Sequence, residues 1–274
     1  MIKKIIAKSL RKFKLESRAW KLYYSIQQRK KTNPGKTDMQ GRIEQNLEEN
    51  VTDKIKNLCP EINEITLNVL TDMYSLNYLY GTEQKEPIQI EKTTRISIEQ
   101  GSMINHIMRS ENVSRSLEIG FAYGFSSIWI LDSLLNKSSS FHIAIDPFEK
   151  SAWHGVGLKQ IEKFGEKVNF LWESKYSIHS LSNLISKKEK FDFVFIDGNH
   201  RFDDVIVDFY LSDQLIEPNG IIALDDMWMP SIQKVAKFIL TNRSYQVIPQ
   251  SVSNMIVLKK NQNDNRNWNH FNCF

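Results

Sequence analysis

An alternation of short apolar runs with longer amphipathic stretches begins near residue 116, and it constrains the fold more than any other feature. The first five runs are SLEIG, HIAID, VNFLW, FDFVFID and GIIALDD. Apolar strands alternating with helices are typical of a parallel sheet that is covered by helices on both faces. The sequence therefore predicts a doubly wound α/β domain.

Two further apolar runs, YQVIP and SNMIVLKK, follow with only a few residues between them. A parallel connection needs a crossover of a dozen or more residues, which does not fit here. We expect an antiparallel hairpin at the edge of the sheet, which makes the sheet seven-stranded and mostly parallel. Helical apolar spacing near residues 54–80 and 97–109 predicts helices before the first strand.

Changes in composition divide the chain into four predicted regions. Residues 1–37 form a basic amphipathic leader, 38–112 a helical lid or packing segment, 113–260 the main domain and 261–274 an Asn-rich tail. The tail is either disordered or docked through its aromatic rings. No internal repeat is evident.

The leader contains 12 Lys or Arg and one Glu, which leaves 24 basic and 31 acidic residues in the remaining chain. A body with a net charge of about −7 argues against a broad nucleic-acid surface. The leader itself has two interpretations. Residues 1–32 contact an anionic membrane surface, or they form a solvated helix that packs on this domain or a second subunit, which we favour.

Other compositional features set the expected surroundings of the protein. No apolar run reaches the roughly 18 residues of a membrane-spanning helix. The first residues lack the apolar middle of a signal peptide. The two cysteines, Cys59 and Cys273, lie far apart without metal-type spacing. We therefore expect a cytoplasmic protein, with peripheral membrane contact as the role that the leader leaves open.

The segment SLEIGFAYGFSS predicts a ligand-binding loop. A strand ends at Ile119, the loop contains Gly120 and Gly124, and a helix follows from about Phe125. Glycine permits a tight turn and close approach of a ligand, and a helix N-terminus presents free N–H groups to an anion. The spacing is G-x-x-x-G and not the G-x-G-x-x-G of a dinucleotide site, which argues against a nicotinamide cofactor.

This segment resembles the first-strand motif E-x-G-x-x-x-G of the class I methyltransferases that use S-adenosylmethionine (SAM). A glycine-rich loop alone can be a simple turn, but Asp146 ends the next strand where that family binds both ribose hydroxyls, and Ser174 follows the third where it caps the adenine. The resemblance implies SAM as cofactor. The residues implied to bind it are Glu118, Gly120, Tyr123, Gly124, Ser126, Asp146 and Ser174.

Three acids follow the next two predicted strands: Asp197 comes after FDFVFI, and Asp225 and Asp226 end GIIALDD. Strand ends of a doubly wound sheet face one crevice, so the carboxylates would repel each other unless a cation or hydrogen bonds compensate them. A hard divalent cation would compensate these carboxylates, and we expect that cation to be Mg²⁺. The alternatives are that the aspartate pair caps the next helix, and that Asp197 contacts SAM or acts as a base.

These acids resemble those of metal-dependent small-molecule O-methyltransferases of the catechol and macrocin sugar types. The resemblance implies that Asp197, Asp225 and Asp226 hold the ion, which grips the acceptor hydroxyls. His200 falls where those enzymes carry a residue that deprotonates the acceptor, and an ordinary histidine pKa near 6.5 suits that task. A packing histidine is the alternative. One departure is Asn219, where relatives usually have glycine.

The predicted function is SAM-dependent O-methylation of a hydroxyl on a sugar, polyol or phenolic small molecule, such as a glycoside or glycan precursor. Three further residues, Trp228, Met229 and Pro230, either wall the acceptor site or serve as core filler and helix start. The alternatives for the whole chain are a metal-free N- or O-methyltransferase, and a non-catalytic SAM-fold protein that its leader tethers to a membrane or to a polyanion. Since related enzymes are often dimers, a homodimer is expected, although no heptad stretch identifies an interface.

Overall fold

The computed structural model describes residues 50–250 and 252–274. The leader predicted over residues 1–37, and the first part of the segment predicted over residues 38–112, lie outside this range. In the part of the chain that is described, no helix is long and apolar enough to cross a membrane.

The described chain begins with helices and one small hairpin. Helix α1 spans Val51–Leu58 and α2 spans Glu64–Ser75, followed by the two-residue strands β1 (Tyr78–Leu79) and β2 (Ile88–Gln89), a 3₁₀ turn, and α3 (Ile98–Ser110). The helical pattern expected as far as residue 80 thus ends at Ser75, and an antiparallel hairpin takes its place. The helix predicted near residues 97–109 is confirmed.

The main sheet is assembled from the seven apolar runs. Its elements in chain order are β3 (Arg115–Ile119), α4 (Phe125–Leu134), β4 (Phe141–Ile145), α5 (Val156–Ile161), β5 (Phe170–Glu173), α6 (Ser177–Ser186), β6 (Phe191–Ile196), α7 (Phe202–Leu215), β7 (Ile216–Leu224), α8 (Pro230–Asn242), β8 (Tyr245–Val247) and β9 (Ile256–Lys260). The strand order is β5-β4-β3-β6-β7-β9-β8. Strands β3 to β7 are parallel, and β9 is antiparallel to both β7 and β8. The predicted doubly wound sheet with its antiparallel edge hairpin is confirmed.

Helix α3 packs closely on α4, which is buried along its whole length. A Cβ atom at Gly101 would lie 2.1 Å from Nε1 of Trp129, so only glycine admits the indole there. Asp132, also on α4, is buried and accepts hydrogen bonds from the Asn63 backbone N–H at 3.0 Å and from Asn105 Nδ2 at 2.9 Å. Because a buried carboxylate is costly without partners, these bonds fix the N-terminal helices against α4.

The C-terminal tail is docked, which decides between its two alternatives. Asn272 donates its backbone N–H to Asn242 Oδ1 at 2.8 Å and accepts from Asn242 Nδ2 at 2.9 Å. The ring of Phe274 lies 5.2 Å from that of Phe238 on α8. Trp268, in contrast, is 97% exposed.

The backbone conformation of Asn219 shows why asparagine can stand in place of the usual glycine. Its φ is +74°, in the left-handed region that glycine adopts freely and that asparagine tolerates better than most residues. The turn inside the β7 segment is therefore preserved despite the substitution.

Candidate active site

The glycine loop after β3 meets the end of β6 at close range. Gly120 has a φ of +92°, and a Cβ atom there would lie 2.1 Å from the backbone oxygen of Asp197. Gly124, with a φ of +79°, is the N-cap of α4. Glycine at both positions thus brings the first N–H groups of α4 and the Asp197 region to one edge of the sheet, where parallel strands end and ligands bind.

Glu118 lies behind this loop, in the core. Its side chain is fully buried, and its carboxylate accepts hydrogen bonds from the hydroxyls of Ser126 and Ser127. His142 Nε2 lies 3.1 Å from Oε2, and Ser116 Oγ lies 2.9 Å from His142 Nδ1. The structure therefore gives Glu118 and Ser126 internal partners; contact of either with SAM stays a prediction.

Sequence reasoning missed the partners of Glu118, although the signal was present. Ser116 on β3 and His142 on β4 are opposite each other in the parallel register. Polar residues within otherwise apolar strands need partners, since a buried polar group without one is unfavourable. Two such residues on adjacent predicted strands indicate a buried polar network next to the motif acid.

Asp146, predicted to bind ribose, fastens the glycine loop to β4 in this structure. Its Oδ2 accepts the backbone N–H groups of Phe121 at 3.1 Å and Ala122 at 2.9 Å, and its Oδ1 accepts that of Phe148 at 2.7 Å. A carboxylate has about four lone-pair positions, so three are in use. Ala122 has a φ of +44°, which is costly for a residue with a side chain and shows how tightly the loop is held.

The two remaining predicted cofactor residues differ in exposure. Tyr123 is buried, its ring lies 5.1 Å from that of Trp153 in an edge contact, and burial raises its pKa. Ser174 is exposed and follows β5, at the same end of the sheet as Asp146. Ser174 is thus accessible at this edge of the sheet, whereas the Tyr123 ring packs against the loop that follows β4, and contact of either residue with SAM stays a prediction.

Asp197, His200 and Asp226 form a cluster at the ends of β6 and β7. His200 Nε2 lies 2.8 Å from Asp226 Oδ2 and 3.7 Å from Asp197 Oδ1. The side chains are 22%, 40% and 21% exposed for Asp197, His200 and Asp226 respectively. One potential ligand atom from each residue lies within 4.8 Å of the other two. The cluster therefore faces a single point that solvent reaches.

Mutual charge shifts the pKa values of this cluster. Contacts with Asp197 and then with Asp226 raise the pKa of His200 to about 10. Burial raises the pKa of Asp197 to about 6, partly offset by His200. Burial also tends to raise the pKa of Asp226, but the hydrogen bonds with His200 and with the Trp228 indole lower this pKa overall. These contacts favour the protonated imidazole, whereas the prediction from the sequence used an ordinary histidine pKa.

Asp225 does not join the cluster, although the sequence predicted it as a ligand. Its carboxylate is buried, and Oδ1 accepts a hydrogen bond from Gln100 Nε2 at 2.5 Å. Burial, followed by the nearby charge of Asp197, raises its pKa. Asp226 has a φ of +54°, so the backbone turns sharply between the two acids. The group that faces one point is therefore Asp197, His200 and Asp226.

Besides the charge of the cluster, one further observation indicates that these three residues fit a divalent cation. Although His200 Nε2 is buried and within ion-pair distance of two carboxylates, it makes no aligned hydrogen bond among the described residues. A buried imidazole nitrogen beside two carboxylate oxygens, without an aligned hydrogen bond to either, can serve with them as a metal-ligand set. A set that contains an imidazole nitrogen suits Mn²⁺ or Zn²⁺ better than the predicted Mg²⁺, because Mg²⁺ prefers oxygen ligands.

Two residues that follow the aspartate pair, Trp228 and Pro230, lie beside the cluster and at the start of the next helix, respectively. Trp228 is 60% exposed and donates its indole N–H to Asp226 Oδ1 at 2.8 Å. Pro230 is the first residue of α8, where its missing N–H costs nothing. An exposed aromatic face therefore stands beside the cluster, and the proline starts the next helix.

The order of the seven strands is that of the class I methyltransferase fold, and the predicted fold is confirmed. Residues 117–227 match the family model described as a methyltransferase domain. A caffeoyl-CoA O-methyltransferase of Populus kitakamiensis is 24% identical over 147 residues, which are 51% of this chain and 58% of that relative. The chain thus spans little more than half the length of this curated relative.

Solved structures share the fold. An O-methyltransferase of Bacillus cereus in complex with SAH, the demethylated product of SAM, has a TM-score of 0.53 at 19% identity, covering 77% of this chain and 97% of its own. An SAH-bound methyltransferase of Podospora anserina has a TM-score of 0.55 at 14% identity, covering 82% and 100%. At these identities the likeness establishes the fold.

Proposed function

We propose that this protein transfers the methyl group of SAM to a hydroxyl of a small acceptor, assisted by a divalent cation at Asp197, His200 and Asp226. The observation that carries the proposal is the close approach of Gly120 to the Asp197 backbone, which brings the glycine loop and the acid cluster to one edge of the sheet. Methyl transfer requires a donor and an activated acceptor to meet at such a point.

The donor side of the crevice consists of the glycine loop and the start of α4. The N–H groups at the α4 N-terminus would bind the carboxylate of SAM, and Asp146 and Ser174 are the proposed contacts of its ribose and adenine. Relatives with this fold contain SAH, which supports the assignment. SAM supplies a methyl group that its sulfonium already activates, so the chain needs to align the acceptor and remove a proton.

The acceptor side is the cluster and the exposed face of Trp228. Asp197, His200 and Asp226 would hold the cation, which when bound lowers the pKa of an acceptor hydroxyl. An exposed indole suits the flat face of a phenolic ring or a sugar. Sugar, polyol and phenolic hydroxyls, including glycosides and glycan precursors, are therefore the proposed acceptors. The caffeoyl-CoA O-methyltransferase relative supports the phenolic class.

The protonation state of His200 depends on what neutralises the two carboxylates. With its pKa raised to about 10, the imidazole is protonated at neutral pH and cannot accept a proton. It becomes a base only where another positive charge balances Asp197 and Asp226. The proposed base role of His200 and the proposed cation site therefore depend on each other, and Asp197 is the other base candidate.

A metal-free transfer to nitrogen or oxygen is the second candidate, favoured by the same ion pair. Protonated His200 already compensates the charge of Asp226 at 2.8 Å, so the cluster needs no ion to be stable. In this case His200 binds an anionic or carbonyl group of the acceptor as a hydrogen-bond donor.

One experiment separates these candidates. SAH binding is measured by titration calorimetry, and transfer of a labelled methyl group to a panel of catechols and glycosides is then measured with EDTA or with added Mn²⁺ or Mg²⁺. Loss of transfer in EDTA that either ion restores supports the cation site. Transfer that EDTA leaves unchanged rejects it and keeps the second candidate, whereas absence of SAH binding rejects both.

The expected cytoplasmic location, the homodimer and the membrane contact of residues 1–32 are also proposals. They concern the whole chain, and the leader lies outside the described residues. Co-sedimentation of the full chain with anionic and with neutral vesicles tests the membrane contact, because an electrostatic attachment requires the anionic lipid and is lost at high salt. This assay also tests the non-catalytic tethered alternative, which predicts vesicle binding without turnover.

A further inference from the structure

A side chain from the N-terminal helices reaches Asp225, the residue that directly precedes Asp226 of the cluster. Gln100, in the first turn of α3, is 5% exposed and donates its Nε2 to Asp225 Oδ1 at 2.5 Å. Asp225 is 6% exposed. This bond joins residues that are 125 positions apart in the sequence, and it connects the helical segment to the end of β7.

The direction of this bond is fixed by the capping box of α3. Gln100 Oε1 accepts the backbone N–H of Ser97 at 2.9 Å, while Ser97 Oγ accepts the backbone N–H of Gln100 at 3.1 Å. A rotated amide would place its NH₂ group against the Ser97 N–H and its oxygen against the Asp225 carboxylate. Both contacts would become unfavourable, so the NH₂ group must face Asp225.

Asp225, whose carboxylate accepts the hydrogen bond from Gln100, directly precedes Asp226, the cluster residue with a strained backbone. Asp226 adopts a φ of +54°, which persists only where the surroundings enforce it. On one side, the backbone N–H of Asp225 donates to Ile196 O at 3.2 Å and its carboxylate is bound by Gln100. With Asp225 held in this way, the sharp turn directs the Asp226 carboxylate toward His200.

We infer that Gln100 is a positioning residue, which through Asp225 sets the place of Asp226 and thereby the affinity of the cluster for a divalent cation. The inference rests on the proposed cation site. It also assigns Asp225 the role of a hydrogen-bonded anchor. A partner of this kind behind a metal ligand typically changes metal affinity about 10- to 100-fold when it is removed.

The test measures Mn²⁺ binding to the full chain by electron paramagnetic resonance, at a temperature where every variant is folded. Gln100→Glu keeps an oxygen for the Ser97 N–H but replaces the donor with a second carboxylate. The double variant Gln100→Glu with Asp225→Asn reverses donor and acceptor and restores the bond. Ser97→Ala is the matched control, because it weakens the helix cap and leaves the Gln100–Asp225 contact in place.

We expect Gln100→Glu to weaken Mn²⁺ binding about 10- to 100-fold, the double variant to recover it, and Ser97→Ala to lower only the thermal midpoint. Parental affinity in Gln100→Glu overturns the inference, and so does a double variant that recovers its thermal midpoint without recovering the affinity. A parent chain that binds SAH but no Mn²⁺ contradicts the cation part of the proposed function itself, and the inference fails with it.

Discussion

His200 Nε2 lies 2.8 Å from Asp226 Oδ2, across the gap between the ends of β6 and β7. This ion pair joins the residue predicted as a base to a residue predicted as a metal ligand. A proton on His200 and a divalent cation are therefore alternative means of balancing the same two carboxylates. Which of them is present determines whether the imidazole donates or accepts a proton.

Asp226→Asn removes one of these carboxylates with little change in shape. We expect metal-dependent methyl transfer to fall at least about 10-fold, since a neutral amide oxygen binds a divalent cation more weakly than a carboxylate does. Labelled-methyl transfer measures this loss. Asp203→Asn, an exposed acid in the first turn of α7, is the control that should keep full activity. Parental activity in Asp226→Asn would exclude the cation site.

Gly120→Ala should destabilise the protein by about 2–4 kcal/mol, from a strained positive φ and a forced shift of the adjoining backbone. The new Cβ would lie 2.1 Å from the Asp197 oxygen. Gly165→Ala is the matched control, because Gly165 also has a positive φ, yet no described atom lies within 4 Å of its Cβ position. Urea denaturation gives both values, and equal losses would show that the contact with Asp197 is unimportant.

Glu118→Gln separates stability from cofactor binding. The buried carboxylate accepts hydrogen bonds from two serine hydroxyls and contacts His142, so its replacement should lower the free energy of unfolding by about 1–3 kcal/mol. The affinity for SAH, measured by calorimetry, should remain at the parental value, because the side chain is behind the loop. A large loss of affinity in a fully folded variant would instead support the direct contact predicted from the motif.

Glu149→Gln tests a pH dependence of stability. Burial raises the Glu149 pKa from 4.5 to about 8, and Oε2 has no hydrogen-bond partner within the described part of the chain. The native state thus retains a proton that the unfolded chain loses first. Stability from this group is full below pH 4.5 and is lost as the pH rises through about 8.

The parent should therefore lose up to about 1.4 kcal/mol per pH unit within this window relative to Glu149→Gln. Thermal unfolding of both proteins between pH 5 and pH 9 measures the difference. Parallel curves would show that Glu149 is ionised in the native state.

The sheet could be predicted because every strand in it is an apolar run with a connection of diagnostic length. The β1–β2 hairpin could not, since strands of two residues leave no alternation to detect. Asp225 and Asp226 show the limit at the site. Two neighbouring acids at a strand end cannot be distinguished in the sequence. The positive φ of Asp226 and the hydrogen bond between Gln100 and Asp225 distinguish them in the structure.

Glu118 shows the same limit for the cofactor motif. The motif locates the loop but does not say which way the acid points. That direction depends on His142, which the register of β3 and β4 brings opposite Ser116, next to the motif acid. Contacts set by strand register and backbone turns are tertiary properties, and a local pattern does not contain them.

The central claim is that one crevice binds SAM beside a divalent cation. It is tested most directly by the relaxation of ¹³C-methyl-labelled SAM bound to the protein in the presence of Mn²⁺. We predict strong paramagnetic broadening of the methyl resonance in the parent and none in Asp226→Asn, with SAM bound in both. A bound methyl group that Mn²⁺ does not relax, or a parent chain that fails to bind SAM, would contradict the account.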